Sequence, residues 1–427
     1  MTSRNTKPSS PNRRAIKGLA FILPALVMIL GVTELKTPRV ARAAGPSVVA
    51  FSAATYAVTE DTTFRTITVN RTGDISGPAT VDYATTDVSA SDRSDYTPAL
   101  GTLRFAANQS SRTFDVLIIE DVRLEGNETF NITLSNGTGQ ALLGTPSTAT
   151  VTINDDPIEA GQNPINFPGN FVGQHYHDFL ARQSDPDGEA FWVSQITSCG
   201  SNPNCIDDRR TNVSAAFFLS IEFQDTGYFV IRTHKAAFGS AKGTPVYLTF
   251  LRDQRRISEG VIIGDPGADL LLEANRQAYL SEFVTRPAFV ALFPIGMNGQ
   301  AYVDTLFGNS LVIPTVAERQ AAIFAYGGGN TAGRAAALES VAESNSVFNA
   351  QYNPAFVLMQ YYGYMRRNPD AAPDGNFNGY DFWLEKLNSF SVPGEDVRDD
   401  EIALNRIKRS EMVRSFVISG EYRGRFQ

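Results

Sequence analysis

The apolar residues of this chain keep two different rhythms, and the change of rhythm limits what it can fold into. From residue 46 to 156 apolar and polar residues alternate in short runs. Val81, Tyr83 and Thr85 share one face. Phe114, Val116 and Ile118 share another, and Phe130, Ile132 and Leu134, then Ala149, Val151 and Ile153, repeat the pattern. A period of two marks strands with one buried face. Arg71-Thr72-Gly73-Asp74, Ala106-Ala107-Asn108 and Asn136-Gly137-Thr138-Gly139 supply the turns between them. Short strands in such a stretch predict an antiparallel sandwich. From residue 170 to 427 the spacing becomes three and four, which predicts helices. The chain is therefore read as multidomain, an all-β sandwich followed by an all-α domain.

The helical part repeats itself. Phe171-Val172-x3-Tyr176-x2-Phe179-Leu180-x-Arg182 is followed by Asp185-Pro186-Asp187-Gly188, a helix breaker, and by Phe191-Trp192-x3-Ile196. The same order returns as Phe356-Val357-x3-Tyr361-x2-Tyr364-Met365-x-Arg367, then Asp370, Pro373-Asp374-Gly375 and Phe382-Trp383-x3-Leu387. The chain has two tryptophans, and they fall at equivalent places. Phe217-x2-Ser220-x-Glu222-Phe223 likewise matches Phe416-x2-Ser419-x-Glu421-Tyr422. Duplication of this kind predicts repeats at 170–260 and 350–427, with 261–349 helical and a decayed copy near Phe283 to Phe307. The aromatics read as core, with a carbohydrate-stacking face as the other reading. Residues 157–169 contain Gly161, Pro164, Pro168 and Gly169 and read as a short extended linker.

The start of the chain has the order of an export signal. Arg13, Arg14 and Lys17 precede an apolar stretch from Gly18 to Val32, and Ala41-Arg42-Ala43 offers a small-x-small cleavage pattern. Residues 1–43 are expected to be a signal peptide, cleaved or kept as an anchor. The apolar run is shorter than the roughly 20 residues that span a bilayer, and no membrane span is expected in the mature chain. Residues 1–43 hold eight Lys or Arg and one Glu, which leaves 29 basic and 44 acidic residues, a net charge of −15, for the rest. So acidic a body repels phosphate backbones, which disfavours nucleic acid as a partner. Cys199 and Cys205 flank Gly-Ser-Asn-Pro-Asn, and an oxidising compartment favours a disulfide there.

Acidic residues gather at the ends of the expected strands. Gathered carboxylates repel, and calcium, which takes six to eight oxygens, would relieve that repulsion; scattered, solvated loop acids are the other reading. The order Glu60, Thr85-Thr86-Asp87, Ser94-Asp95-Tyr96, Gly101-Thr102-Leu103-Arg104-Phe105, Ile118-Ile119-Glu120-Asp121-x3-Glu125-x2-Glu128-x-Phe130 and Thr152-Ile153-Asn154-Asp155-Asp156 resembles a Calx-beta domain. That resemblance implies an immunoglobulin-like sandwich with calcium at one end. Carried over, it implies Glu60, Asp95, Glu120, Asp121, Glu125, Glu128, Asp155 and Asp156 as ligands. Val122 and Pro157 stand where strong binders carry further aspartates, so one or two ions are expected. The helical repeats resemble the DUF4214 family, found in secreted bacterial proteins.

Catalytic motifs are missing from the sequence. His175 and His177 lie two apart on an expected helix and diverge, and His234 stands alone. Neither H-E-x-x-H nor G-x-S-x-G occurs, and Gly327 to Arg334 reads as a loop between helices. The chain is read as an exported, non-catalytic calcium-binding protein of adhesion, matrix or cell envelope, with a protein or surface glycan as partner. The alternatives are a secreted enzyme such as a glycan hydrolase with an accessory sandwich, and a structural module without a ligand.

Overall fold

The alternating segment folds as two stacked sheets. The computed structural model describes residues 45–155 and 161–427; the signal peptide expected at 1–43, Asp156 and the first residues of the expected linker lie outside them. The strands are β1 (Ser47–Phe51), β2 (Thr55–Thr59), β3 (Phe64–Gly73), β4 (Ala79–Asp87), β5 (Leu100–Phe105), β6 (Ser111–Leu117), β7 (Glu128–Thr138), β8 (Ala141–Leu143) and β9 (Thr148–Asn154). One sheet has the order β6-β3-β1-β8, the other β2-β9-β7-β4-β5. Most neighbours are antiparallel; β1 with β8 and β2 with β9 run parallel. The period-two residues meet between the sheets: Val81, Val116, Phe130, Ile132 and Val151 are fully buried there. Asn108 and Gly139 take positive φ (64° and 62°) in two of the expected turns.

The linker is not extended where it is described. Asn163 caps a short 3-10 turn, Pro164–Asn166, by accepting from the Ile165 N–H, and Pro168–His175 follows directly as a helix. Proline at a first helical position costs no hydrogen bond and presets φ. Asn163 also donates to the Arg423 carbonyl, and Arg423 donates back to Asn166. The segment is thus packed onto residues far along the chain.

The helical part is built around the two copies. Arg182 donates from Nε and Nη2 to Glu222 at 2.6 and 2.8 Å, and Arg367 does the same to Glu421 at 2.5 and 2.9 Å. Each guanidinium lies over a tyrosine, Tyr176 at 4.8 Å and Tyr361 at 5.4 Å. Each also reaches a turn aspartate, Asp185 or Asp374. Trp192 packs on Phe217 at 5.8 Å, and Trp383 on Phe416 at 5.7 Å. Ser220 and Ser419 each cap a short helix by accepting from the N–H three residues on. The expected equivalences therefore hold in space. One correction concerns the glycines. Gly188 lies under the Tyr176 hydroxyl and Gly379 under the Tyr361 hydroxyl, each too close for a Cβ. Gly379, not Gly375, is the counterpart of Gly188, so the extra residues of the second copy precede its helix.

The copies meet through one π-helical turn each, Tyr176–Leu180 and Gln360–Tyr364, with Phe179 and Tyr364 edge to face at 5.1 Å. Between them in sequence, residues 261–349 form further helices. The stretch from Phe283 to Phe307 lacks a tryptophan, and its Arg286 pairs bidentately with upstream Asp253 at 2.7 and 2.8 Å. Cys199 and Cys205 form the expected disulfide, closing the turn between the helices Pro186–Thr197 and Pro203–Leu219. Leu100 and Ile119 of the sandwich belong to the same apolar cluster as the helical core. The two halves are welded rather than tethered.

Candidate calcium centre

Four stretches bring carboxylates to one end of the sandwich. The loop after β4 pairs with the extension of β6: the Thr97 N–H donates to the Leu117 carbonyl at 2.8 Å, and the Ile119 N–H to the Asp95 carbonyl at 3.0 Å. That pairing sets Asp95 beside Asp121. Glu125 follows in the loop to β7, Glu128 opens β7, and Glu128 stands in register with Ile153 of β9. Asp155 lies just past the end of β9, where its Oδ2 accepts from the Gly126 N–H at 2.6 Å. Gly126 holds φ of 76°, a conformation that glycine adopts without strain.

Asp95, Asp121 and Glu125 each offer one oxygen, and these three oxygens lie within 4.8 Å of one another. Asp95 is 6% exposed and Asp121 2%. One oxygen of each is already engaged: Asp95 Oδ2 by the Ser91 N–H at 2.5 Å, Asp121 Oδ1 by the Arg123 N–H at 2.7 Å. Their other oxygens, Asp95 Oδ1 and Asp121 Oδ2, are buried with no protein hydrogen bond, as is Asp155 Oδ1. A buried carboxylate oxygen without a partner is costly. A hard cation supplies what these oxygens lack, and an all-oxygen donor set suits calcium. The residues present fit the ion.

The electrostatics point the same way. Burial, with the charges of Glu125 and Asp95, pushes Asp121 up to about 6 in spite of Arg123. Burial again, then the nearness and charge of Asp95 and the charges of Glu125 and Asp121, pushes Glu128 up to about 8. Glu125 is raised by burial, Asp95 and Asp155. Asp121, Glu125 and Glu128 thus feel the negative charge around them.

Glu60 and Glu120 are not among the three carboxylates gathered within 4.8 Å. The Glu60 N–H donates to the Asn154 carbonyl, beside the end of β9. Glu120 lines a cavity with Asp61, His177 and Glu189, toward the helical part. Glu120 and Asp121 both lie past the end of β6 at Leu117. Asp156 lies outside the described residues. His175 and His177 do diverge. His175 is bound between the Phe171 carbonyl and Ser214, and burial pushes both imidazoles down to about 4.

Sequence reasoning missed the arginines that hold the site loops. Arg123 donates to the Gly424 carbonyl at 2.6 Å and to the Gln427 carbonyl, and it approaches Glu125 at 3.6 Å. Arg366 donates to the Tyr96 carbonyl at 2.9 Å and to Thr97 at 2.7 Å, and Arg425 to the Arg93 carbonyl at 3.0 Å. These grip the loop that carries Asp95. Both guanidiniums converge on Asp178, which is fully buried. Burial alone would raise its carboxyl; Arg425 and Arg366 hold it below the usual range. Arg123 could have been noticed between two expected ligands, but nothing local in sequence marks Arg366 or Arg425 as its allies.

Comparison with known proteins bears on the sandwich alone. The Calx-beta domain family model matches residues 43–157. Sodium/calcium exchanger 1 of Mus musculus is 34% identical over 144 residues, 29% of this chain and 15% of that protein. Extracellular matrix protein 3 of Lytechinus variegatus is 41% identical over 107 residues, 23% of this chain and 3% of that protein. The crystal structure of the apo-form Calx CBD1 domain is 34% identical and covers 26% of this chain and 97% of that one, at a TM-score of 0.25. The chain therefore spans a small part of the length of these curated relatives.

Proposed function

Residues 43–157 being a Calx-beta domain, we propose that this chain is an exported, non-catalytic calcium-binding protein of a cell surface or matrix. Calcium, one or two ions, would sit among Asp95, Asp121, Glu125, Glu128 and Asp155 and make the sandwich tip rigid. The observation that carries this reading is the trio of carboxylates whose buried spare oxygens have no partner. Relatives that include a sodium/calcium exchanger and an extracellular matrix protein support the same ion and setting. The signal-like residues 1–43 and the Cys199–Cys205 disulfide favour an oxidising, exported location.

The helical half, with its resemblance to DUF4214 repeats, would present the partner surface. In one cleft of this half, Asp185 and Glu222 are both bound to Arg182 and so hold the copy together. Arg123 links the two halves: ordering the loop from Asp121 to Glu125 also orders its grip on Gly424 and Gln427.

Titration calorimetry of the whole chain tests the proposal. Calcium should bind with a dissociation constant near 10⁻⁴ to 10⁻³ M, about the range of extracellular sites. At about ten times that concentration linkage adds about 1.4 kcal/mol to stability. The gain should vanish in Asp121→Asn/Glu125→Gln; an identical melt in calcium and in chelator would defeat the reading.

A further inference from the structure

A second charged centre lies at the seam between the sandwich and the helices. A cavity of about 180 Å³ opens between β5 and the helix Tyr247–Ser258, and its wall is rich in arginine. Three carboxylates share it, and all three are committed. Asp253 is taken by Arg286. Glu282 is taken by Arg104. Glu259 is taken by Arg112, and Arg256 reaches it only at 3.6 Å. Arg252 and Arg255 make no ion pair among the described residues. Nε and Nη2 of Arg255 and Nε of Arg256 are buried with no hydrogen-bond partner. Burial, with the charge of Arg104, also pushes the Arg256 guanidinium below its usual range. A chain of net charge −8 thus keeps a local excess of positive charge around a cavity at an internal joint.

We propose that this cavity binds a doubly charged oxyanion, a phosphate or sulfate group, bridging Arg104 of the sandwich to Arg255 and Arg256 of the helices. The donors suit it: guanidinium forks match tetrahedral oxyanions and give charge-assisted hydrogen bonds. The anion supplies acceptors for the stranded N–H groups and cancels the repulsion between Arg104 and Arg256. Arg252 is exposed at the mouth, so the group can be a free ion or an ester on a larger molecule. This site is independent of the calcium reading.

The test is titration of the whole chain with sodium sulfate, sodium phosphate and glucose 6-phosphate, at fixed ionic strength set with chloride. A calcium chelator keeps the carboxylate centre silent. Saturable binding is expected, weakened at least tenfold in Arg255→Gln and in Arg256→Gln and unchanged in Arg319→Gln, whose partner is Asp304 elsewhere on the surface. Glucose 6-phosphate binding as tightly as phosphate supports an esterified ligand; binding of the inorganic ions alone supports a free one. No saturable binding by the unsubstituted chain overturns the proposal, even if the variants fail to fold. So does equal affinity in folded Arg255→Gln and Arg256→Gln.

Discussion

At the sandwich tip carboxylates face one another; in the helical half the carboxylates of each copy face arginine. Asp121 and Glu128 are pushed up to about 6 and about 8 by burial and by their neighbours. Asp178, more deeply buried, is held down by Arg366 and Arg425. Burial penalises the charged form in both places, and the partner decides the outcome. The contrast separates acids that the protein uses for itself from acids it leaves to a cation.

Substitutions should act with opposite sign in the two regions. The largest effect is expected at the paired end. Asp178→Ala strands two buried guanidiniums and should cost about 3–5 kcal/mol by urea unfolding. A cost below about 1 kcal/mol would mean that water replaces Asp178 there. Next come the copies themselves. Glu222 is 6% exposed and Glu421 34%, so Glu222→Gln should cost about 2–3 kcal/mol and Glu421→Gln about 1 kcal/mol. Equal losses would show that the copies bear load alike.

At the unpaired end the sign reverses. In chelator, Asp121→Asn removes a charge that the fold disfavours and should stabilise the chain by about 1–2 kcal/mol. Destabilisation would show that Asp121 is already paired without calcium. The same charges make the tip sensitive to pH. A carboxyl raised in the folded state binds more protons there than when unfolded, so calcium-free stability should fall as pH rises from about 4.5 through about 8. Calcium must displace those protons, so its affinity should fall as pH drops from 8.5 to 6, and calorimetry in buffers of different ionisation enthalpy should register proton release. Affinity flat across that range would remove Glu128 and Asp121 from the site.

Much of this was legible in the residues. Alternation located the strands, because one-sided burial forces it; Thr85, half-buried, is the weakest of the expected core positions. Strand ends located Asp95, Asp121 and Glu125, and the duplicated order located both tryptophans. Glu120 shows the limit: it lines the cavity with Asp61, His177 and Glu189 and is not among the three carboxylates gathered within 4.8 Å, which the motif alone does not announce. The shift from Gly375 to Gly379 shows another, since only the tyrosine hydroxyls above reveal which glycine is under pressure. Arg366, Arg425 and the arginine-lined cavity were not legible, because their meaning depends on partners hundreds of residues away.

The grip of Arg123 on the Gly424 carbonyl spans 301 positions, and that of Arg425 on the Arg93 carbonyl spans 332. During synthesis the acidic tip emerges long before the groups that pin it. A domain folds as a unit during synthesis, yet the acidic loops of this sandwich wait, unlatched, until the last helices arrive, so any cation affinity should develop late in biogenesis.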